Sequence, residues 1–279
     1  MSVLKQGSSG PKVVELQTDL KRLGFEPGFV DGKFGLGTKK ALMAFQKSKG
    51  LKADGIAGQI TFNALSSAIK KITPVSTDSK SIVPLNLLTE SDFKEAAELL
   101  NCDVAAIKAV AEVESSSNGF LSDGRVKILF EGHQFHKHTK GAYAESHPTI
   151  CFKKWTKQHY TKGPNADVRG AGELTRLEQA MSLDREAALK SASYGKFQIM
   201  GFNFGSCDFG DVEEFYAAMQ ASEGAQLKAF CCFIKANKLD SHLRKHHWAN
   251  FARGYNGPAY AENKYDKKLA AAYAKFSKQ

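Results

Sequence analysis

Two glutamates stand two residues apart in the segment AAIKAVAEVESSSNGF, Glu112 and Glu114. At roughly 100° per residue on a helix, Glu114 falls within about 20° of Ile107, on the stripe shared by Val104, Val110 and Ala111, and Glu112 about 140° away. Glu114 is therefore directed at the apolar side, at the end of a helix where a cleft could open, and Glu112 belongs to a solvated face. A carboxyl against an apolar wall holds its proton more tightly, because burial disfavours the charged form. A general acid needs a carboxyl that is still protonated near neutral pH, and glycosidic bond cleavage is one reaction that needs such a donor. A glutamate on an apolar stripe is nevertheless more often paired with a lysine or arginine, so this one needs supporting residues.

Two carboxylates downstream are candidates for a second catalytic group. Asp123 lies nine residues after Glu114 in a Ser-Asp-Gly-Arg turn, where an aspartate commonly serves the backbone. Glu131 follows the alternating run Val126, Ile128, Phe130, which turns it to the opposite face of a strand. If that face looks into the cleft, Glu131 is the catalytic partner of Glu114, and Asp123 joins the substrate-binding set. His133, His136 and His138 could suggest a metal, but the spacing lacks a zinc signature and no cysteine lies near in sequence; neither metal nor cofactor is expected. Of the aromatics that could stack on a sugar, among them Tyr143, Trp155 and Tyr160, only Tyr194 and Tyr255 sit inside cleft-like motifs.

The elements that must position these residues are mostly helical. Asp103 caps the helix that ends near Ser116, and Thr89 with Asp92 gives a capping-box start to the helix before it. The chain turns extended around Val126–Glu131, is irregular and polar from His133 to Gly172, and is mostly helical from there on. Residues 70–88 carry two prolines and a Ser/Thr/Asp/Lys cluster and read as a linker. Before it, DGKFGLGTKKAL at 31–42 is echoed by DGIAGQITFNAL at 54–65, each copy a turn followed by a helix. With the helical spacing of Val13, Leu16, Leu20 and Leu23, this makes a compact three-helix module.

Composition narrows the class. No run of about 18 apolar residues occurs, and the N-terminus lacks the apolar region of a secretory signal. Five cysteines, odd in number and scattered, read as reduced thiols. The net charge of +10 is uneven: residues 1–72 hold 12 Lys and Arg against 5 Asp and Glu, so +7 sits in the first quarter. That favours an acidic surface as partner without choosing among nucleic acid, lipid and a phosphate-bearing envelope.

Gly7, Gly10, Val13, Leu16, Gln17, Leu20, Leu23 and Gly24, followed by Asp31, Gly32, Phe34, Gly35, Thr38, Ala41, Phe45 and Gln46, closely resemble the peptidoglycan-binding domain attached to many wall hydrolases, over essentially all of residues 4–68. Glu114–Ser115, then Ser193, Gly195, Gln198 and Ile199, then Tyr255, Asn256 and Gly257 resemble, in order, the three signature motifs of goose-type lysozymes and lytic transglycosylases. The spacer of about 78 residues between the first two motifs is longer than expected of a compact transglycosylase. The run from Glu114 through FLSDGRVKILFEGH is instead similar to the N-acetylmuramidase domain of modular phage endolysins, the match that covers nearly the whole chain.

The resemblance implies a mainly α protein: a peptidoglycan-binding module at 1–70, a linker at 71–88, and a lysozyme-like catalytic domain with a small β region at 89–279. Glu114 would protonate the β-1,4 bond between N-acetylmuramic acid and N-acetylglucosamine, with Glu131 assisting. Ser115 would support the acid, and Asp123, Ser193, Gln198, Tyr255 and Asn256 would serve substrate binding. The expected partners are bacterial peptidoglycan and anionic envelope components, with neither nucleic acid nor membrane insertion, for a monomer made in a host cytoplasm and acting at the wall once the membrane is permeabilised. The rivals are a lytic transglycosylase making 1,6-anhydro products and a non-catalytic wall-binding or phage tail protein.

Overall fold

A computed structural model describes residues 3–72, 87–114 and 118–278. Two separate hydrophobic cores organise them. The smaller belongs to three helices, α1 (Pro11–Arg22), α2 (Leu36–Ser48) and α3 (Gln59–Ile72), around Val13, Leu16, Leu20, Leu42, Phe45 and Leu65. The expected linker lies outside the described residues from 73 to 86; residues 71 and 72 still belong to α3.

The half-repeat has a physical origin in two buried glutamines. The Nε2 of Gln17, on α1, donates to Asp31 Oδ1 (3.0 Å), Lys33 O (3.1 Å) and Thr38 Oγ1 (3.0 Å), while its Oε1 accepts from Gly32 N (2.8 Å). Gln46, on α2, repeats the arrangement, donating to Asp54 Oδ1 (3.1 Å), Ile56 O (3.0 Å) and Thr61 Oγ1 (3.3 Å) and accepting from Gly55 N (3.0 Å). Each Asp-Gly turn is thus pinned by a glutamine of the preceding helix. Replacing Gln46 by Leu strands several of these buried polar groups and is expected to cost about 1–3 kcal/mol. Urea unfolding of the whole chain measures it, and an unchanged midpoint for this module would contradict the glutamine's role.

The larger core is built by the remaining elements. These begin with α4 (Glu90–Leu100), α5 (Val104–Glu114), β1 (Ile128–Phe130), α6 (Gly132–His138), α7 (Ala166–Leu183), α8 (Arg185–Lys190), β2 (Ala192–Tyr194) and β3 (Ile199–Met200). They end with α9 (Val212–Ala221), α10 (Glu223–Ala236), α11 (Asp240–Arg244), α12 (Trp248–Asn256) and α13 (Tyr265–Phe276). Thr89 and Asp92 form the expected capping box on α4, and Asp103 Oδ1 accepts from Ala106 N at 2.8 Å to start α5. The face Ala106, Ile107, Ala109, Val110, Ala111 buries α5 against its neighbours, α13 and α4 foremost; the small alanines permit close approach.

β1, β2 and β3 form an antiparallel sheet in that order, pairing Ile128 with Tyr194 and Tyr194 with Ile199. The SYGKFQIM motif is therefore a hairpin whose turn carries Gly195 (φ 70°) and Gln198 (φ 48°). The stretch expected to be irregular from His133 to Gly172 needs correction, because α6 and the first turns of α7 fall within it. α6 is short with one buried apolar anchor, Phe135, and α7 buries Glu173 and Arg176 among its apolar residues, so neither displays a clear apolar stripe. Asn165 starts α7 by accepting from Val168 N (2.9 Å).

The two cores meet along α10 and α4. Lys228 Nζ lies 2.5 Å from Asp31 Oδ2, Ser222 Oγ donates to Val30 O (3.2 Å), Lys21 Nζ reaches Asp92 (3.1 Å), and Lys33 lies over the Phe209 ring (4.4 Å) while bonding Asp208. The first of the twin turns faces inward onto the larger domain; in the second, Ile56 and Ile60 stay exposed.

Candidate active site

Glu114 is the last residue of α5 and is half-buried. Its Oε1 accepts from Asn256 Nδ2 at 2.9 Å. Burial pushes its carboxyl above the ordinary range, outweighing the Asn256 bond and the charge of Lys268, which both act to lower it. Glu112, as its helical phase predicts, is exposed and paired with Lys275 (2.6 Å).

Asn256 closes α12, and the residue before it fixes its place. The Tyr255 ring stacks on Phe251 (centroids 6.0 Å apart), meets Phe230 edge-on (5.3 Å), and has its hydroxyl directed at Phe197 O (3.4 Å). Burial pushes this phenol's pKa well up. Tyr194 is 1% exposed, with its hydroxyl on Leu189 O (2.9 Å). Tyr194 is thus a packing group, and Tyr255, partly buried and outside the lining of the groove at Glu114, anchors Asn256.

Glu114 opens onto a groove of about 420 Å³. It is lined by β1 and the residue before it, Lys127, together with the hairpin turn of Gly195, Lys196 and Gln198. Tyr160, Thr161 and the α7 residues Arg169, Gly170 and Glu173 complete the lining. Gln198 is exposed in this groove and held by its own hairpin: Ser193 Oγ donates to its Oε1 (2.8 Å), and its Nε2 donates to Gly195 O (2.9 Å). Ser193 itself is buried and acts as a strut.

The other expected site residues fall elsewhere. Asp123 is exposed in its turn, with Oδ1 accepting from Arg125 N (3.0 Å) and Oδ2 paired with the Arg125 guanidinium (2.7 Å), which holds its carboxyl below the ordinary range; it is not part of the groove lining. Glu131 sits behind the groove wall, where both its oxygens accept from Tyr160 OH at 2.8 Å and His133 Nδ1 lies 3.2 Å away. Burial and this bond push the Tyr160 hydroxyl up to about 12. Ser115 lies outside the described residues. The structure thus brings Glu114, Asn256 and Gln198 together, sets Glu131 one residue back through Tyr160, and leaves Asp123 apart. Among the described residues no group of three or more His, Cys, Asp or Glu is arranged to hold a metal.

One groove residue, Glu173, escapes a reading of the sequence, and a second, Tyr160, is named there only among several aromatics able to stack on a sugar. Glu173 is a buried carboxylate whose Oε1 accepts from Thr161 N (2.7 Å) and whose Oε2 accepts from Phe130 N (3.2 Å) and Arg176 Nη1 (2.8 Å). With its acceptors occupied it braces the wall. Tyr160 is the aromatic ring that does line the groove, and nothing in its local sequence marks it out. Chemically, the site is a carboxyl raised by burial and held by an amide, in a groove edged by Lys127, Arg169 and Lys196. Such a site suits proton donation to an oxygen within an extended, polar chain.

The N-acetylmuramidase family model matches residues 103–277, well over half of the chain, and a peptidoglycan-binding domain model matches residues 9–65. The crystal structure of the Burkholderia AP3 phage endolysin is similar over 100% of both chains, with 38% identity and a TM-score of 0.64. A spore cortex-lytic enzyme of Bacillus cereus is 50% identical over 68 residues, 24% of this chain and 26% of its own length. A zinc D-Ala-D-Ala carboxypeptidase of Streptomyces albus G is 46% identical over 67 residues, 22% of this chain and 25% of its own. The chain thus spans about a quarter of the length of these curated relatives.

Proposed function

Because the chain belongs to the N-acetylmuramidase family and carries a peptidoglycan-binding domain, we propose that it is a peptidoglycan hydrolase that cleaves the β-1,4 bond between N-acetylmuramic acid and N-acetylglucosamine, with Glu114 as general acid. The observation that carries this reading is a half-buried carboxyl, raised by burial and held by Asn256, opening onto a groove of about 420 Å³ lined with polar and basic side chains. Protonated Glu114 gives its proton to the bridging oxygen as the bond from that oxygen to the muramic acid C1 breaks. N-acetylglucosamine then leaves with a free hydroxyl. Water adds to the oxocarbenium-like carbon and its proton returns to the Glu114 carboxylate.

Asn256 keeps the acid aimed, Gln198 offers its amide to the sugars, and Glu131 acts through Tyr160 by fixing the ring that lines the groove. The basic N-terminal module holds the enzyme on the wall. The likeness to a phage endolysin supports a lysis role; we infer synthesis in a host cytoplasm and action at the wall after membrane permeabilisation.

Mass spectrometry of digested sacculi tests the reaction. Reducing muramic acid ends, one water heavier per cut, are expected. Anhydro-muramic ends would instead make the enzyme a transglycosylase, and an absence of soluble fragments would leave only wall binding.

A further inference from the structure

Helix α10 opens with two polar side chains that its surroundings almost completely enclose: Glu223 and Gln226 are 2% and 1% exposed. Burying such groups is costly unless every polar atom finds a partner, so the partners reveal what the pair is for. Glu223, in the first turn of the helix where the dipole favours an anion, accepts from Gly119 N (2.6 Å) and Leu88 N (3.3 Å) and lies 3.5 Å from Lys196 Nζ. Gln226 accepts from Lys196 N (2.7 Å) and donates to Met219 O (2.9 Å). Both therefore spend their bonds largely on two chain turns outside their own helix.

One of those turns lines the groove and the other abuts it. Gly195, Lys196 and Gln198 belong to the groove lining beside Glu114, and Gly119, five residues beyond Glu114 in the chain, packs against Lys196 N. They are also stitched to each other, since Lys127 N donates to Gly119 O (2.9 Å) and Gly195 N donates to Lys127 O (2.8 Å). A side chain at either Gly119 or Gly195 would collide with Gln226, so both turns rest directly on this amide. Neither Glu223 nor Gln226 lines the groove.

We propose that Glu223 and Gln226 are positioning residues that hold the Lys196–Gln198 turn at its distance from Glu114 in the groove. The proposal rests on the reading of Glu114 as the acid. A merely structural pair would lower stability alone, whereas a positioning pair must alter the chemistry of molecules that are still folded. Small misplacements of reacting groups are expensive, on the order of 10²-fold for about 1 Å.

The test measures kcat and KM on soluble, uncrosslinked peptidoglycan strands across pH, well below each variant's melting temperature. Gln226→Met, which keeps the bulk but cannot accept from Lys196 N, is expected to lower kcat by about 10–100-fold. Its alkaline limb should move to lower pH as Glu114 gains solvent. Glu223→Ala is expected to behave alike, and Glu223→Gln, whose amide oxygen can still accept from Gly119 N, should recover most of that loss. If a truncated variant does not fold, Glu223→Asp, which draws the Gly119 turn in by one methylene, is read in the same way. Folded variants whose kcat and alkaline limb stay within about twofold of the parent, while only their melting temperatures fall, would overturn the proposal. Failure of the underlying reading would look different, because Glu114→Gln would then retain activity.

Discussion

Glu114→Gln lowers turnover on purified cell wall by about 10²–10⁴-fold, the usual worth of a positioned general acid, while sacculus binding and the melting temperature near neutral pH stay close to the parent. The amide has nearly the shape of the carboxyl and can keep its oxygen on Asn256 Nδ2, so what is lost is the transferable proton. The pH dependence supplies a second check. Burial raises the Glu114 pKa, so the parent keeps its proton donor at a higher pH than a free glutamate would and loses activity as pH rises through that raised value. The folded state binds this proton more tightly than the unfolded state. Its stabilising contribution is complete below the unfolded pKa and disappears as pH rises through the folded one. The Gln variant escapes this penalty, so its stability relative to the parent should improve as pH rises. Turnover of Glu114→Gln within about tenfold of the parent would remove Glu114 from the reaction.

Arg176→Ala is expected to cost about 3–5 kcal/mol, the largest stability loss proposed for this chain. Arg176 and Glu173 are a paired couple with side chains 11% and 5% exposed. Deleting the guanidinium strands the carboxylate and also withdraws donors from Phe130 O and Thr149 O (3.2 Å each). For a domain of this size the loss corresponds to a melting temperature lower by roughly 10 °C. The double replacement Glu173→Leu with Arg176→Met should recover part of it, since an apolar pair leaves no charge unpaired. A cost below about 1 kcal/mol for Arg176→Ala would mean that water already solvates the pair.

What was legible in the sequence was local. The contrast between Glu112 and Glu114 follows from helical phase within one helix, and the twin turns are written in two copies of the same residues. Gln17 and Gln46 appear in the sequence as motif letters, although only the fold discloses that each holds a whole turn. Asn256 was found through a motif, and the structure supplies its reason in the bond to Glu114. The rest of the groove lining was illegible because it is assembled from distant segments. Glu173 and Arg176, three residues apart on a helix, look like an ordinary solvated pair. β2 and β3, of three and two residues, are too short to display a strand period. Tyr160 and Tyr194 differ in exposure only because of what packs around them.

The inward-facing turn fixes a length. Asp31 is held at once by Gln17 of its own module and by Lys228 of α10, the helix whose first turn also braces the cleft. The spacing between module and cleft is thus tied to a single helix, and Lys228→Ala should let the two cores melt in separate steps where the parent melts in one.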